Sequence, residues 1–154
     1  MSAHDPDEIY HRTILERARS PRHQHRLEPF DAEVREVNPL CGDRVTLRLA
    51  CHATGCIAAV GYEARACAIC MASSDLMAEL VPGMTTAEAR MAAGHFERAL
   101  RSGEAMAWDK RMAVLSLFGP LHGTPSRIGC ATLPWQALRQ AVLRVMGTEA
   151  DGDG

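Results

Sequence analysis

The 154-residue chain has no apolar run approaching the length of a membrane-spanning helix, and it has no excess of basic residues. Its 17 Lys+Arg stand against 19 Asp+Glu, for a formal net charge of −2. Proteins that hold nucleic acid or a membrane surface concentrate positive charge on one face, so neither partner is expected. The opening MSAHDPDEIYHRT lacks an apolar core behind a basic start, so it does not read as a signal peptide. A cytoplasmic setting is the expectation. No Gly-rich phosphate loop, serine nucleophile elbow or pair of catalytic carboxylates stands out. No internal repeat or linker divides the chain, which predicts a single domain over 1–147 and a flexible polar tail over 148–154.

What the sequence does have is six cysteines. In a reducing compartment they point to metal binding or catalysis more than to disulfides. Paired CxxC motifs of the zinc-ribbon kind are missing, and only Cys67-Ala-Ile-Cys70 has that form.

Periodicity organises the rest. DEIYHRTILERAR (7–19) reads as a weakly amphipathic helix that stops at Ser20-Pro21. FDAEVREV is a strand candidate that ends at Asn38-Pro39. Val45, Leu47, Leu49 and Cys51 alternate with Thr46, Arg48 and Ala50, the period of a half-buried strand. HATG turns the chain, and CIAAVGYEARA returns, so a hairpin or meander is predicted. Two helices follow, one from Cys67 to Pro82-Gly83 and one capped by Thr85/Thr86 and ended by Gly103. A short apolar segment and a Gly/Pro-rich loop lead to a last helix after Cys130, with Thr132 as N-cap and Pro134 in its first turn. Strands first and helices later is an α+β order.

Three cysteines lie at the edges of these elements: Cys41 where a loop enters a strand, Cys67 where a strand yields to a helix, and Cys130 before the last helix. Helix N-termini favour thiolate over thiol. With Asp43 they form three thiolates and a carboxylate, a workable tetrahedral shell for zinc. In Cys41-Gly42-Asp43 a divalent cation would hold two anions that otherwise repel, and Gly42 would let the backbone bend between them. Cys70 reads as a packed thiol behind this set, and Cys51 and Cys56 as strand-end residues. His122 lies in the loop before Cys130, within conceivable reach of a metal, while Met71 and Met77 read as helix packing. Asp75 and Glu79, one turn apart, read as a solvated face.

Over nearly its whole length the chain resembles the U-type iron–sulfur cluster assembly proteins (the NifU N-terminal/IscU-like family), and within them the SufU-like zinc branch. IYHRTILERARSPRH, NPLCGDRVTL, ACAICMASSDLM and PSRIGCATLPWQAL carry the resemblance, in that order. It implies a small antiparallel three-stranded sheet packed by helices, with metal ligands Cys41, Asp43, Cys67 and Cys130 and Arg127 beside them. It also implies a pyridoxal-phosphate cysteine desulfurase (SufS-like) as partner, with downstream iron–sulfur assembly machinery beyond. The SufU-like branch binds Zn2+ and accepts sulfur on the residue matching Cys41, whereas the scaffold branch builds a [2Fe–2S] cluster on much the same ligands. Gly129, where scaffolds usually carry histidine, GTPSRIG in place of a Leu-Pro-Pro-Val-Lys motif, and the segment WDKRMAVLSLFGPLHGTPSR favour zinc and sulfur transfer. A structural zinc module without transfer activity is a third reading. Cys70 and Asp75 depart from the family pattern.

Overall fold

Strands β1 (Ala32–Asn38), β2 (Asp43–Cys51) and β3 (Ile57–Arg65) form an antiparallel meander in the order β1-β2-β3. Around it stand helices α1 (Pro6–Arg19), α2 (Ala68–Leu80), α3 (Thr86–Ser102) and α4 (Pro125–Gly152), and a 3-10 segment, Met112–Gly123. The structure is a computed structural model that describes residues 6–105 and 108–152, with the backbone alone for 6–10 and 148–152. The α+β architecture with a small three-stranded sheet is the one expected. Among the described residues no helix is long and apolar enough to cross a membrane.

The alternation along β2 is as predicted. Val45, Leu47 and Leu49 are buried on the face that α4 covers, and α2 packs against β3. Asp43 opens the strand in the same phase, so its carboxylate points towards the helices and is buried too. Behind the sheet, Phe96 of α3 packs against Phe118 and Trp135, with ring centroids 5.7 and 5.5 Å apart. Helix α3 begins with a capping box: Thr85 Oγ accepts the Glu88 N–H at 3.0 Å, and Glu88 accepts the Thr85 N–H at 3.1 Å. It ends at Gly103 in the left-handed conformation.

Three expectations are corrected. The last helix starts at Pro125, so Cys130 lies in its second turn and not ahead of it. Thr124-Pro125 supplies the same start signal as Thr132 and Pro134, a threonine just outside and a proline just inside. Pro134 therefore sits within the helix, where it cannot donate to the carbonyl of Cys130 four residues back. Thr132 is fully buried and caps nothing. Secondly, the expected apolar segment and the first part of the Gly/Pro-rich loop form a 3-10 helix, which buries Leu115, Phe118 and Leu121, and the rest of that loop is the start of α4. Thirdly, Asp75 is not solvated but wholly buried. It accepts hydrogen bonds from Tyr62 Oη (2.9 Å), Arg17 Nη1 (3.0 Å) and the N–H groups of Arg22 (3.0 Å) and His23 (2.8 Å). This carboxylate pins α1 and the segment after it onto α2 and β3. The helical backbone of α4 continues to Gly152, into the stretch expected to be a tail.

Candidate metal centre

The tip of the β1–β2 hairpin is built by its sequence. Asn38 pairs with Asp43 across the ladder, leaving Pro39-Leu40-Cys41-Gly42 as the loop. Asn38 shapes that loop twice: its side-chain oxygen accepts the Leu40 N–H at 3.1 Å and its carbonyl accepts the Gly42 N–H at 2.8 Å. Gly42 closes the turn at φ +75°, a conformation that any side chain would strain. The turn leaves Cys41 exposed and starts β2 with Asp43 facing inward.

Helix α2 brings Cys67 as its N-cap residue. The cap has no side-chain acceptor of its own; the Cys67 N–H donates to Asp43 Oδ1 at 2.8 Å instead. Helix α4 brings Cys130. The two helices are fixed to each other by Ser73, whose hydroxyl donates to the Ala131 carbonyl at 2.5 Å and accepts the Trp135 indole N–H at 3.1 Å. Gly129 lets α4 come close to the hairpin, since a Cβ there would stand 3.2 Å from the Asn38 side-chain nitrogen.

The result is a convergence on one carboxylate oxygen. Cys41 Sγ donates to Asp43 Oδ2 at 2.9 Å, and Cys67 Sγ approaches the same oxygen at 3.5 Å. Cys41 and Cys130 sulfurs are 3.6 Å apart. One ligand atom from each of Cys41, Asp43 and Cys130 lies within 4.8 Å of the others, and Cys67 stands just outside this tight group while touching Asp43.

Burial pushes the Asp43 carboxyl up, but hydrogen bonds from Cys41, from the Cys67 N–H and from the Cys130 and Cys67 thiols together hold it below its ordinary value. Its donors are thiols and a backbone N–H, not a cationic side chain. Cys130 is displaced the other way, upward, by burial first and then by Cys41, Cys67 and Asp43 around it. A cation bound among these groups would oppose that shift by favouring the thiolate. The donor set of three sulfurs and one oxygen is one that zinc accepts. Cys70 is wholly buried, and burial, with Asp43 and Cys67 nearby, pushes its thiol up: it is a packed neutral group behind the site.

The other candidates separate cleanly. Arg127 is exposed on the first turn of α4, one turn ahead of Cys130. His122 Nδ1 is engaged with the Leu100 carbonyl at 3.0 Å, at the end of α3. Cys51 and Cys56 flank the β2–β3 turn, closed by a bond from the His52 N–H to the Cys56 carbonyl at 2.8 Å. Met77 is core. Reading the sequence missed Asn38, Ser73 and Trp135 as supports of the site. Only Asn38 carries a local signal, an asparagine before proline where a strand ends.

Residues 9–150 match the NifU-like N terminal domain. The chain belongs to that family. It is 29% identical to the iron–sulfur cluster assembly scaffold protein IscU of Streptococcus pyogenes serotype M1, covering 88% of this chain and 84% of that one. It is also 29% identical to the zinc-dependent sulfurtransferase SufU of Bacillus subtilis (strain 168), covering 92% and 94%. Among solved structures, a nitrogen-fixing NifU-like protein (N-terminal) from Brucella abortus superposes with a TM-score of 0.83 at 30% identity, over 92% of this chain and 96% of that one. A putative iron–sulfur cluster assembly scaffold protein for the SUF system from Fervidobacterium islandicum AW-1 gives 0.77 at 27% identity, over 92% and 99%. The relatives of this chain are thus named for both a scaffold and a zinc-dependent transferase.

Proposed function

We propose that this chain serves iron–sulfur cluster assembly as a zinc-dependent sulfur acceptor, taking persulfide sulfur onto Cys41 from a pyridoxal-phosphate cysteine desulfurase of the SufS type. The observation that carries this reading is the gathering of three thiols on the buried Asp43 carboxylate with Cys41 alone among them exposed. Cys41, Asp43, Cys67 and Cys130 would hold the zinc. When bound, the metal keeps the thiols ionised near neutral pH.

The chain's own residues account for the transfer. Cys41 sits at a fixed turn with its sulfur at the surface, 2.9 Å from Asp43 Oδ2, so the attacking sulfur and the carboxylate converge on one point. The Cys41 thiolate attacks the outer sulfur of the donor's cysteine persulfide. The new sulfur–sulfur bond forms as the old one breaks, and its electron pair leaves on the donor cysteine as thiolate. One thiolate enters and one departs, so no oxidant is required. Arg127, on the exposed first turn of α4, offsets the anionic charge of the donor set. The persulfide on Cys41 is then consumed by the downstream assembly machinery.

A second reading, a [2Fe–2S] scaffold on the same donors, draws on the relatives named scaffold proteins. Metal analysis of the protein as isolated, paired with desulfurase turnover in its presence and absence, separates them. Zinc and faster turnover are expected. Little zinc, with visible absorption after anaerobic reconstitution, would favour the scaffold.

A further inference from the structure

Leu40 is the most exposed of the described large apolar side chains, at 89%, and it directly precedes Cys41. It is held out rather than loose: its N–H is fixed by Asn38, and the Gly42 turn closes behind it. Val37, 52% exposed, stands on the same hairpin. Both line a trough of about 310 Å³ between the hairpin tip and the first turns of α4, with Ile128 opposite and Arg101 on its rim. Arg101 is exposed, and its intrahelical ion pair with Glu97 at 3.2 Å is of the i,i+4 kind that contributes little. An apolar side chain fixed in water contributes nothing until something covers it.

What covers it follows from the chemistry next door. Sulfur exchange requires two sulfur atoms in contact, so a donor that reaches Cys41 Sγ also comes close to its exposed neighbour on the hairpin tip, Leu40. We propose that Leu40 and this trough are the docking surface for the persulfide-bearing loop of the sulfur donor. That loop presents an apolar pocket to Leu40 and an acidic side chain to Arg101. The inference rests on the sulfur-acceptor reading above and adds which surface the donor uses.

The test measures sulfur transfer from a persulfide-charged cysteine desulfurase, at increasing donor concentration, to the wild-type chain and to Leu40→Ser, Arg101→Glu and Cys41→Ala. Leu40→Ser is expected to raise the half-saturating donor concentration about 30-fold. Its saturated rate and the rate of Cys41 alkylation by iodoacetamide should stay unchanged. Arg101→Glu should raise the half-saturating concentration several-fold and lessen its salt dependence. If Leu40→Ser saturates like wild type while Cys41→Ala takes no sulfur, the docking surface is wrong and the acceptor reading stands. If Cys41→Ala takes sulfur at the wild-type rate, the acceptor reading fails and this one with it. A wild-type dimer that Leu40→Ser dissociates, with donor saturation unaltered, would assign the patch to a second copy and overturn the proposal.

Discussion

Trp135 donates its indole N–H to Ser73 Oγ at 3.1 Å, with both residues sealed in the core. Ser73 in turn donates to the carbonyl of Ala131, the residue after Cys130, so one hydroxyl sets the spacing of α2 and α4 where each carries a thiol. Ser73→Ala should cost about 2 kcal/mol, because a buried indole N–H loses its acceptor. Urea unfolding measures the loss. The folded variant should also release zinc to a chelator faster than wild type, since Cys67 and Cys130 are no longer held in register.

Asp75 presents a second buried polar centre, remote in sequence from everything that satisfies it except Tyr62 and the helix it stands on. Asp75→Ala would leave the Tyr62 hydroxyl and two backbone N–H groups without their acceptor, and the Arg17 guanidinium, 13% exposed, with Glu79 as its remaining carboxylate partner. A loss of about 3–5 kcal/mol is expected, read as a fall in thermal midpoint. Zinc stoichiometry of the folded fraction should remain that of wild type, because none of these groups touches the cysteines.

Arg17 also pairs with Glu79, through contacts of 3.0 and 3.3 Å. That hydrogen bond holds the Glu79 carboxyl below its ordinary 4.5, against a smaller upward push from burial. A depressed carboxyl stabilises the fold fully above its unfolded value, and the gain disappears as pH falls from there through the lower native value. The side chain is 36% exposed, so screening limits the effect to less than about 1 kcal/mol. Glu79→Gln should therefore lose up to about 1 kcal/mol at neutral pH and converge with wild type as pH falls below about 4.5, which flattens the acid limb of its stability curve. A series of urea unfolding curves across that range checks it.

Asp43 can be divided between fold and metal. Its Oδ1 accepts the Cys67 N–H, so Asp43→Ala should lose about 1–2 kcal/mol of stability, whereas Asp43→Asn keeps an acceptor there and should lose less. Both variants remove an anionic donor, and both should hold zinc more weakly in a chelator competition. Equal zinc retention by Asp43→Asn and wild type would remove the carboxylate from the ligand set.

The hairpin and its reactive tip were legible because local rules fix them. Alternation from Val45 to Leu49 sets the buried face, and Asn-Pro-Leu-Cys-Gly-Asp contains its own turn, with Gly42 in the one conformation that suits it. The start of α4 was not legible, because Thr124-Pro125 and Thr132 with Pro134 offer the same local signal, and only the packing of Ile128 and Cys130 on the core selects the earlier one. Asp75 was illegible for a different reason. A carboxylate one turn from Glu79 looks solvated until Arg17, 58 residues away, is brought against it. Cys67 was singled out by its position at an element's edge and Arg127 by resemblance alone; Cys67 is the N-cap residue of α2 with its sulfur 3.5 Å from Asp43 Oδ2, and Arg127 is exposed on the first turn of α4.

The most direct test of a releasable, ionised sulfur at the hairpin tip is mass spectrometry of the zinc-loaded protein after one turnover with a persulfide-charged cysteine desulfurase. The account predicts one added sulfur atom on the peptide bearing Cys41, and none in Cys41→Ala. Sulfur appearing on Cys67, Cys70 or Cys130 with Cys41 unmodified, or acceptance by Cys41→Ala at the wild-type rate, would contradict it.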